Sequence, residues 1–458
     1  MGARKGTEMS HGQARRAASA FAAFLLVQAA PAVGAADDIH ALTAAYNASA
    51  HDLFRTFTAS PGNIVFSPYS IGAAMAMVLA GARRETAAEM TTVLRQSLAP
   101  AAIDAANAGL VAALEGYDKS ALPVACPSAA MRFNGQECEA PLPADRVCTF
   151  GYNQGNRCVA PGHKAPSAAF KAANALMLLK AKGDMISPAY AALLEAKYRA
   201  QVFRGAELDE INRWVDRQTE GKVEKILDQI DPDAPAVILN AVYFKAAWQT
   251  PFVRNATSDA DFHLTPAATV KVATMRRLGH YQMLVRPDFR AIRLPYSAEA
   301  LSMVIVLPND PGGATRLARD FDAPALAALF RDLAEWKAVE LALPRFKTGF
   351  RANLGELFIK AGMRRAFDAA RADFSGMTDR PPPQARLAIG EVVHRAVIDV
   401  TEEGTEAAAA TAVAMMAASM PAKVEPFVVD RPFLFYITDS ATGAILFQGR
   451  ISDPRTPL

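Results

Sequence analysis

Neither sign of charge is in real excess in this chain: 49 Lys and Arg stand against 46 Asp and Glu in 458 residues, and no basic run is interleaved with aromatics. That removes the usual footprint of a nucleic-acid partner. Glycine (27) and proline (29) are too few and too scattered for a collagen-like or low-complexity chain, and a 51% hydrophobic, 21% charged composition excludes wholesale disorder. Long apolar runs are missing as well. The mostly apolar stretch from Ala17 to Ala30 has 14 residues, short of the ~20 that a membrane helix needs, so no membrane partner is expected. Catalytic signatures are also absent: H-E-x-x-H, G-x-S-x-G, the P-loop and G-x-G-x-x-G do not occur. No metal or cofactor is expected, and nothing marks an enzyme.

What is present begins at the N-terminus. Residues 1–35 have the order of an export signal, with basic Arg4, Lys5, Arg15 and Arg16, then the apolar stretch, then a small-x-small end at Val33 and Ala35. Cleavage is expected after Ala35, which makes the protein secreted or periplasmic. This segment carries the entire net charge of +3, because the remainder balances 45 basic against 45 acidic residues. Cysteine usage agrees with export. Cys126, Cys138, Cys148 and Cys158 are the only four, and all fall within residues 118–168. Two disulfides are expected, with three connectivities open; zinc, with His163 nearby, is the rival, though the paired C-x-x-C spacing of common zinc sites is lacking.

Either side of that segment the pattern is mixed. Helical spacing runs from Asp38 to Phe57, and an Ala- and Met-rich helix is expected over Ser70–Leu79. Ile211, Trp214 and Val215 share a face in the stretch Glu210–Leu227, which Gly221 interrupts. Strands are expected at Val237–Phe244, Leu301–Leu307, Val339–Leu343, Val392–Val400, Phe433–Thr438 and Ala444–Phe447. Helices early and strands late give an α+β class. His394, in an apolar strand, reads as a hydrogen-bonded core histidine rather than a catalytic base. The segment Thr401–Pro421 is the odd one. Its alanines favour helix, yet it links two strands, and no charge occurs from Ala407 to Ala422. A small, uncharged loop that becomes buried at a later stage accounts for both features.

Several ordered stretches carry a resemblance. They are Asn63-Ile-Val-Phe-Ser-Pro-Tyr-Ser-Ile71, Ile211-Asn-Arg-Trp-Val215 with Thr219-Glu-Gly-Lys222, Leu239-Asn-Ala-Val-Tyr-Phe-Lys245 with Trp248, Ala372-Asp-Phe-Ser-Gly-Met377, Val393-His-Arg-Ala396, Glu403-Gly-Thr-Glu-Ala-Ala-Ala-Ala-Thr411 and Asp430-Arg-Pro-Phe-Leu-Phe435. In these the chain resembles the serpin family over residues 39–454, except for the cysteine segment. The resemblance implies one domain over residues 36–458, with three β-sheets surrounded by about nine helices and a reactive loop at 401–427. Length alone had allowed two or three domains. It further implies a monomeric suicide inhibitor of serine or cysteine proteases that forms a covalent complex with its target.

By the same resemblance, Glu402, Gly404, Thr405 and Ala407, Ala408, Ala409 and Ala410 form the hinge, and the scissile bond is Ala418–Ser419, with Met416 or Ala417 as alternatives. A small residue there suits elastase-like or subtilisin-like proteases. Ser67, Ser70, Asn240 and His394 are expected beneath the point where the central sheet opens, Trp248 at its top, and Arg345 paired with Glu402. Ala246, Gly390 and Arg395 depart from the family's usual Gly, Ser and Lys. A non-inhibitory binding or carrier member is the alternative. The cysteine segment has no family counterpart, and sequons stand at Asn47 and Asn255.

Overall fold

The computed structural model describes residues 33–456 apart from 59, 121, 124, 135, 142, 144–147, 149–151, 161–166, 179–184, 231–235, 381–385 and 406–423. Helix α1 (Val33–Phe57) buries Leu42, Tyr46, Ala50, Leu53 and Phe54, a stripe at helical spacing. Its first turn includes Val33–Ala35, the expected signal-cleavage residues. Strand β1 (Ile64–Phe66) leads into α2 (Pro68–Gly81), where the Ser67 side chain accepts from Ser70 N at 3.1 Å and Pro68 presets the first turn. All but one residue of α2 are buried, so it is a central helix rather than a surface one. Helices α3 (Arg84–Val93) and α4 (Pro100–Glu115) follow.

The cysteine segment comes next and forms β2 (Arg132–Phe133), β3 (Cys138–Pro141), β4 (Tyr152–Gln154) and β5 (Arg157–Ala160), a sheet in the order β2-β3-β5-β4. Its disulfides are Cys126–Cys138 and Cys148–Cys158, so one of three connectivities is realised. With each sulfur bonded to another cysteine, the set is not available to zinc.

Beyond it lie β6 (Ala168–Leu178), α5 (Pro188–Tyr198), β7 (Ala200–Arg204), α6 (Leu208–Gln218) and β8 (Val237–Ala247). Helix α6 buries Ile211 and Val215 and stops where Glu220 and Gly221 take positive φ. Then come β9 (Ser258–Thr265), β10 (Ala268–Val285), β11 (Phe289–Pro295), β12 (Leu301–Pro308), α7 (Gly313–Asp320), α8 (Ala323–Asp332), β13 (Trp336–Pro344), β14 (Phe346–Asn353), α9 (Gly355–Lys360), β15 (Glu391–Val400), β16 (Gly404–Thr405), β17 (Glu425–Val428), β18 (Phe433–Asp439) and β19 (Ile445–Ile451). Among the described residues this makes nine α-helices and three sheets, one of them the cysteine segment's own, in the α+β class that the resemblance implies. No helix among them is long and apolar enough to cross a membrane.

Nine strands form one sheet, β1-β19-β18-β12-β11-β10-β13-β17, with β9 also on β10. The six-stranded sheet, β14-β15-β16-β8-β6-β7, is the one that matters for function. Its central strands β8 and β15 are largely apolar on both faces because each face is mostly covered. One face packs on α2 and the nine-stranded sheet through Val242, Phe244, Ala396 and Ile398. The other packs under α6 through Leu239, Ala241, Val393 and Val397.

The fold also separates the two sequons. Asn47 donates to Gly443 O at 2.8 Å and accepts from Ile445 N at 2.9 Å, so its amide is occupied, whereas Asn255 is exposed.

Outside the cysteine segment the chain has no cysteine, and the disulfides close loops of 12 and 10 residues' separation. Each is worth about 3 kcal/mol to the segment by loop closure. Mild reduction should therefore open residues 118–168 to limited proteolysis while leaving the main thermal unfolding transition in place. A global loss of stability on reduction would contradict that separation.

Candidate functional site

The six-stranded sheet contains a seam. Over seven registered pairs, from Glu391 with Val237 to Val397 with Tyr243, β15 and β8 pair directly and in parallel. Above those pairs the two strands part and β16 lies between them, antiparallel to both: Thr405 pairs with Val400 on one side and with Ala246 on the other, and Gly404 with Ala247. The chain reverses into this wedge through a turn in which Thr401 N donates to Gly404 O at 2.8 Å. Gly404 is required there. Its φ is +153°, and a Cβ would lie 2.1 Å from the Ala246 carbonyl oxygen.

Side chains hold the turn from several directions. Trp248 stacks on Tyr296 with ring centroids 4.6 Å apart, and its Nε1 donates to Thr401 O at 3.0 Å. Backbone amides of Trp248 and Phe252 donate to Glu403 O and Glu402 O at 2.9 and 2.8 Å. Glu402, nearly buried, accepts from Thr257 Oγ1 at 2.7 Å and faces the half-exposed Arg345 at 3.6 Å. Glu403 pairs with Arg254. The Thr405 hydroxyl, fully buried, is 2.7 Å from the Tyr296 hydroxyl.

Lower down the seam lies a second polar group. His394 on β15, Asn240 on β8 and Asn174 on β6 stand in one row across three strands. Asn240 Nδ2 is 2.5 Å from both Ser70 Oγ and Asn174 Oδ1, and 3.1 Å from Ser70 O, while its Oδ1 accepts from His394 Nδ1 at 2.5 Å. That contact assigns the proton of neutral His394 to Nδ1. Its Nε2 has no partner among the described residues, and burial lowers the imidazole pKa to about 3. With His394 0% exposed, no substrate reaches the ring, so it cannot serve as a general base.

The expected hinge and sheet-opening residues that are described lie in or beside these two groups. Ser70, Asn240 and His394 form the lower one, with Ser67 capping α2 beside Ser70, and Trp248, Arg345, Glu402, Gly404 and Thr405 form the upper; the four cysteines lie apart, in their own segment. Ala407, Ala408, Ala409, Ala410, Ala418 and Ser419 lie outside the described residues, as does His163. Sequence reasoning missed Asn174, Tyr296, Thr257 and Arg254. Of these, only Asn174 carries a local signal, as a lone amide in the apolar run Ala172-Ala-Asn-Ala-Leu176.

The histidine makes a pH prediction. Its folded pKa, about 3, lies below the ordinary 6.5, so the unfolded chain takes up a proton before the folded one does. Its contribution to stability is complete above pH 6.5 and is lost as pH falls from there toward 3, at about 1.4 kcal/mol per pH unit where only the unfolded state is protonated. Denaturant unfolding of His394→Asn should show a shallower fall across that range than the parent chain. Equal slopes would refute the assignment.

A family model described as Serpin (serine protease inhibitor) matches residues 44–454. The leukocyte elastase inhibitor of Bos taurus is 34% identical over 435 residues, covering 90% of this chain and 99% of that one. An uncharacterized serpin-like protein of Thermococcus kodakarensis is 31% identical over 423 residues, covering 90% and 85%. Among solved structures, human thyroxine-binding globulin has the same fold, with a TM-score of 0.71 at 24% identity over 92% of this chain and all of that one. The model match, the relatives and the wedged six-stranded sheet agree: the chain belongs to the serpin family.

Proposed function

We propose that this serpin is a secreted suicide inhibitor of serine proteases that traps its target as an acyl-enzyme. The target's nucleophilic hydroxyl attacks the carbonyl of Ala418, the bond to Ser419 breaks and the new amine leaves with the proton, giving an ester. The freed loop then enters the seam as a new strand and carries the protease with it. Deacylation fails because it depends on an undistorted triad and oxyanion hole.

The observation that carries this reading is the strand already begun at Gly404–Thr405. Continued in the same register, residues 408–414 replace the seven direct β8–β15 pairs with two antiparallel ladders. The net gain is about one ladder, on the order of 10 kcal/mol at ~1 kcal/mol per hydrogen bond. The register also sorts the loop. Ala407, Ala409, Thr411 and Val413 would face α2 with Thr405, and Ala408, Ala410 and Ala412 would face α6. Thr411 would arrive between Asn240 and His394 and offer a hydroxyl where their mutual bond has been broken.

Export is supported by the order of residues 1–35 and by the paired disulfides, which persist in oxidising compartments. An elastase-like or subtilisin-like target is supported by the small Ala418 and by the name of the bovine relative. The carrier alternative has a fold neighbour in thyroxine-binding globulin, but the run of small loop residues favours insertion.

Incubation with elastase-like and subtilisin-like proteases should give an SDS-resistant covalent complex. Loop cleavage without complex across a broad protease panel would overturn the proposal in favour of the carrier. Thr405→Arg or Ala409→Arg would bring a charge into the apolar face of the seam, and each should raise the protease-to-product partition by at least ~10-fold, turning inhibitor into substrate. Thr411→Val should still trap, but leave a cleaved form destabilised by about 1–3 kcal/mol from the unpaired seam groups, measurable by denaturant unfolding.

A further inference from the structure

The cysteine segment is an appendage with its own interior. That interior is Met131, Cys138, Cys158 and Ala160, with Cys126, Ala140 and Cys148 packed beside them, so the disulfides make up most of its core. The chain leaves and rejoins the body through a narrow neck, where Ala168 N donates to Tyr117 O and Lys119 N to Ser167 Oγ, both at 2.9 Å. The neck has a telling position. Ala168, the first residue of β6, pairs with Ala246, and Ala246 pairs with Thr405, where the loop leaves the sheet. Two strand spacings separate them, about 10 Å.

The far end of the loop is anchored on a strand that leads to the same pole. The chain enters β17 at Glu425, β17 pairs in parallel with β13 from Val339 to Ala342, and β13 leads through Pro344 and Arg345 to Phe346, the partner of Val400. A protease domain of ~220 residues has a radius of gyration of about 17 Å. A protease seated on this loop therefore overhangs the neck.

One face of the appendage is chemically suited to meet it. Arg132, Glu139, Val159 and Tyr152 form a row across all four strands, with Arg157 in the next row on the same face. The cysteines Cys138 and Cys158 lie on the opposite face. Val159 within the row is buried, but the edge strands are open: Tyr152 is 55% exposed, and Arg132 is exposed with no ion-pair partner among the described residues, whereas Arg157 is engaged with Glu139 at 2.6 Å. Tyr and Arg are the side chains enriched at the energetic centres of protein interfaces. Here they stand on disulfide-closed strands, so little ordering is left to the moment of binding.

We infer that the appendage is an exosite: its Arg132–Tyr152 face contacts a carboxylate-bearing surface of the protease held on the reactive loop. The inference rests on the inhibitor reading above. The test is the second-order rate of complex formation for the full chain and for Arg132→Glu/Tyr152→Ala, with every elastase-like and subtilisin-like protease that the parent chain traps. For at least one of them the rate should fall by about 10-fold at low ionic strength and lose much of its salt dependence, with unchanged stoichiometry and melting temperature. Mild reduction of the parent chain followed by alkylation and removal of the reductant, which acts on no cysteine outside the appendage, should lower its rate to that of the variant. Unchanged rates for every trapped protease would overturn the exosite while leaving the inhibitor standing. If the parent traps none, the inhibitor reading fails. Equilibrium binding of the same proteases with their nucleophilic serine replaced by alanine then decides the exosite separately: tighter binding to the parent than to the variant supports it, and equal binding removes it.

Discussion

The parallel pairing of β8 with β15 is the constraint on which the rest of the structure turns. These two neighbours point the same way, so a strand running the opposite way can pair with both, and β16 already does so at one end. Under the proposed mechanism this direct parallel pairing is the arrangement that loop insertion replaces. A strand inserted there would pair with both neighbours and add a ladder, so the wedged six-stranded sheet would, under that mechanism, hold free energy that insertion releases.

What holds the seam closed is local. The row Asn174–Asn240–His394, fastened to α2 through Ser70, bridges the seam with a buried polar bond that must break when the strands separate. At the wedge itself, Trp248 on Tyr296 and the Glu402 contacts fix the turn, so the first two residues of the would-be strand are in place. Gly404, expected from sequence in the hinge, lies in β16, paired with Ala247. Under the proposed mechanism the motion starts beyond Thr405. Both faces of the seam are packed, by α2 on one side and α6 on the other, and this explains physically why the segment after Thr405 is so nearly all alanine.

Much of this was legible in the sequence where composition and burial coincide. Leu301–Leu307 and Phe433–Thr438 read as strands and are strands, because central strands covered on both faces are unbroken apolar runs. The 18 residues of β10 give no such signal. They pair with β9 and β13 along most of their length and with β11 at the end, so their exposure changes along the strand and no single period persists. Strand β6 is hidden for another reason: an Ala-rich segment favours helix locally, and only its place beside β8 makes it a strand. Tyr296 and Thr257 join the site from elements far along the chain, with no motif to announce them.

By itself the sequence determined the family, the α+β class, the small-residue tract after Gly404 and the confinement of all four cysteines to one segment. Each of these is written in residue type and order. The tertiary structure decided which cysteines pair, that Gly404 and Thr405 already lie within the sheet, and that Asn174 completes the row with Asn240 and His394. It also put the appendage's neck in the same row as Thr405. Those are matters of register between strands distant in sequence, and register is set by how whole sheets pack, which no local pattern records.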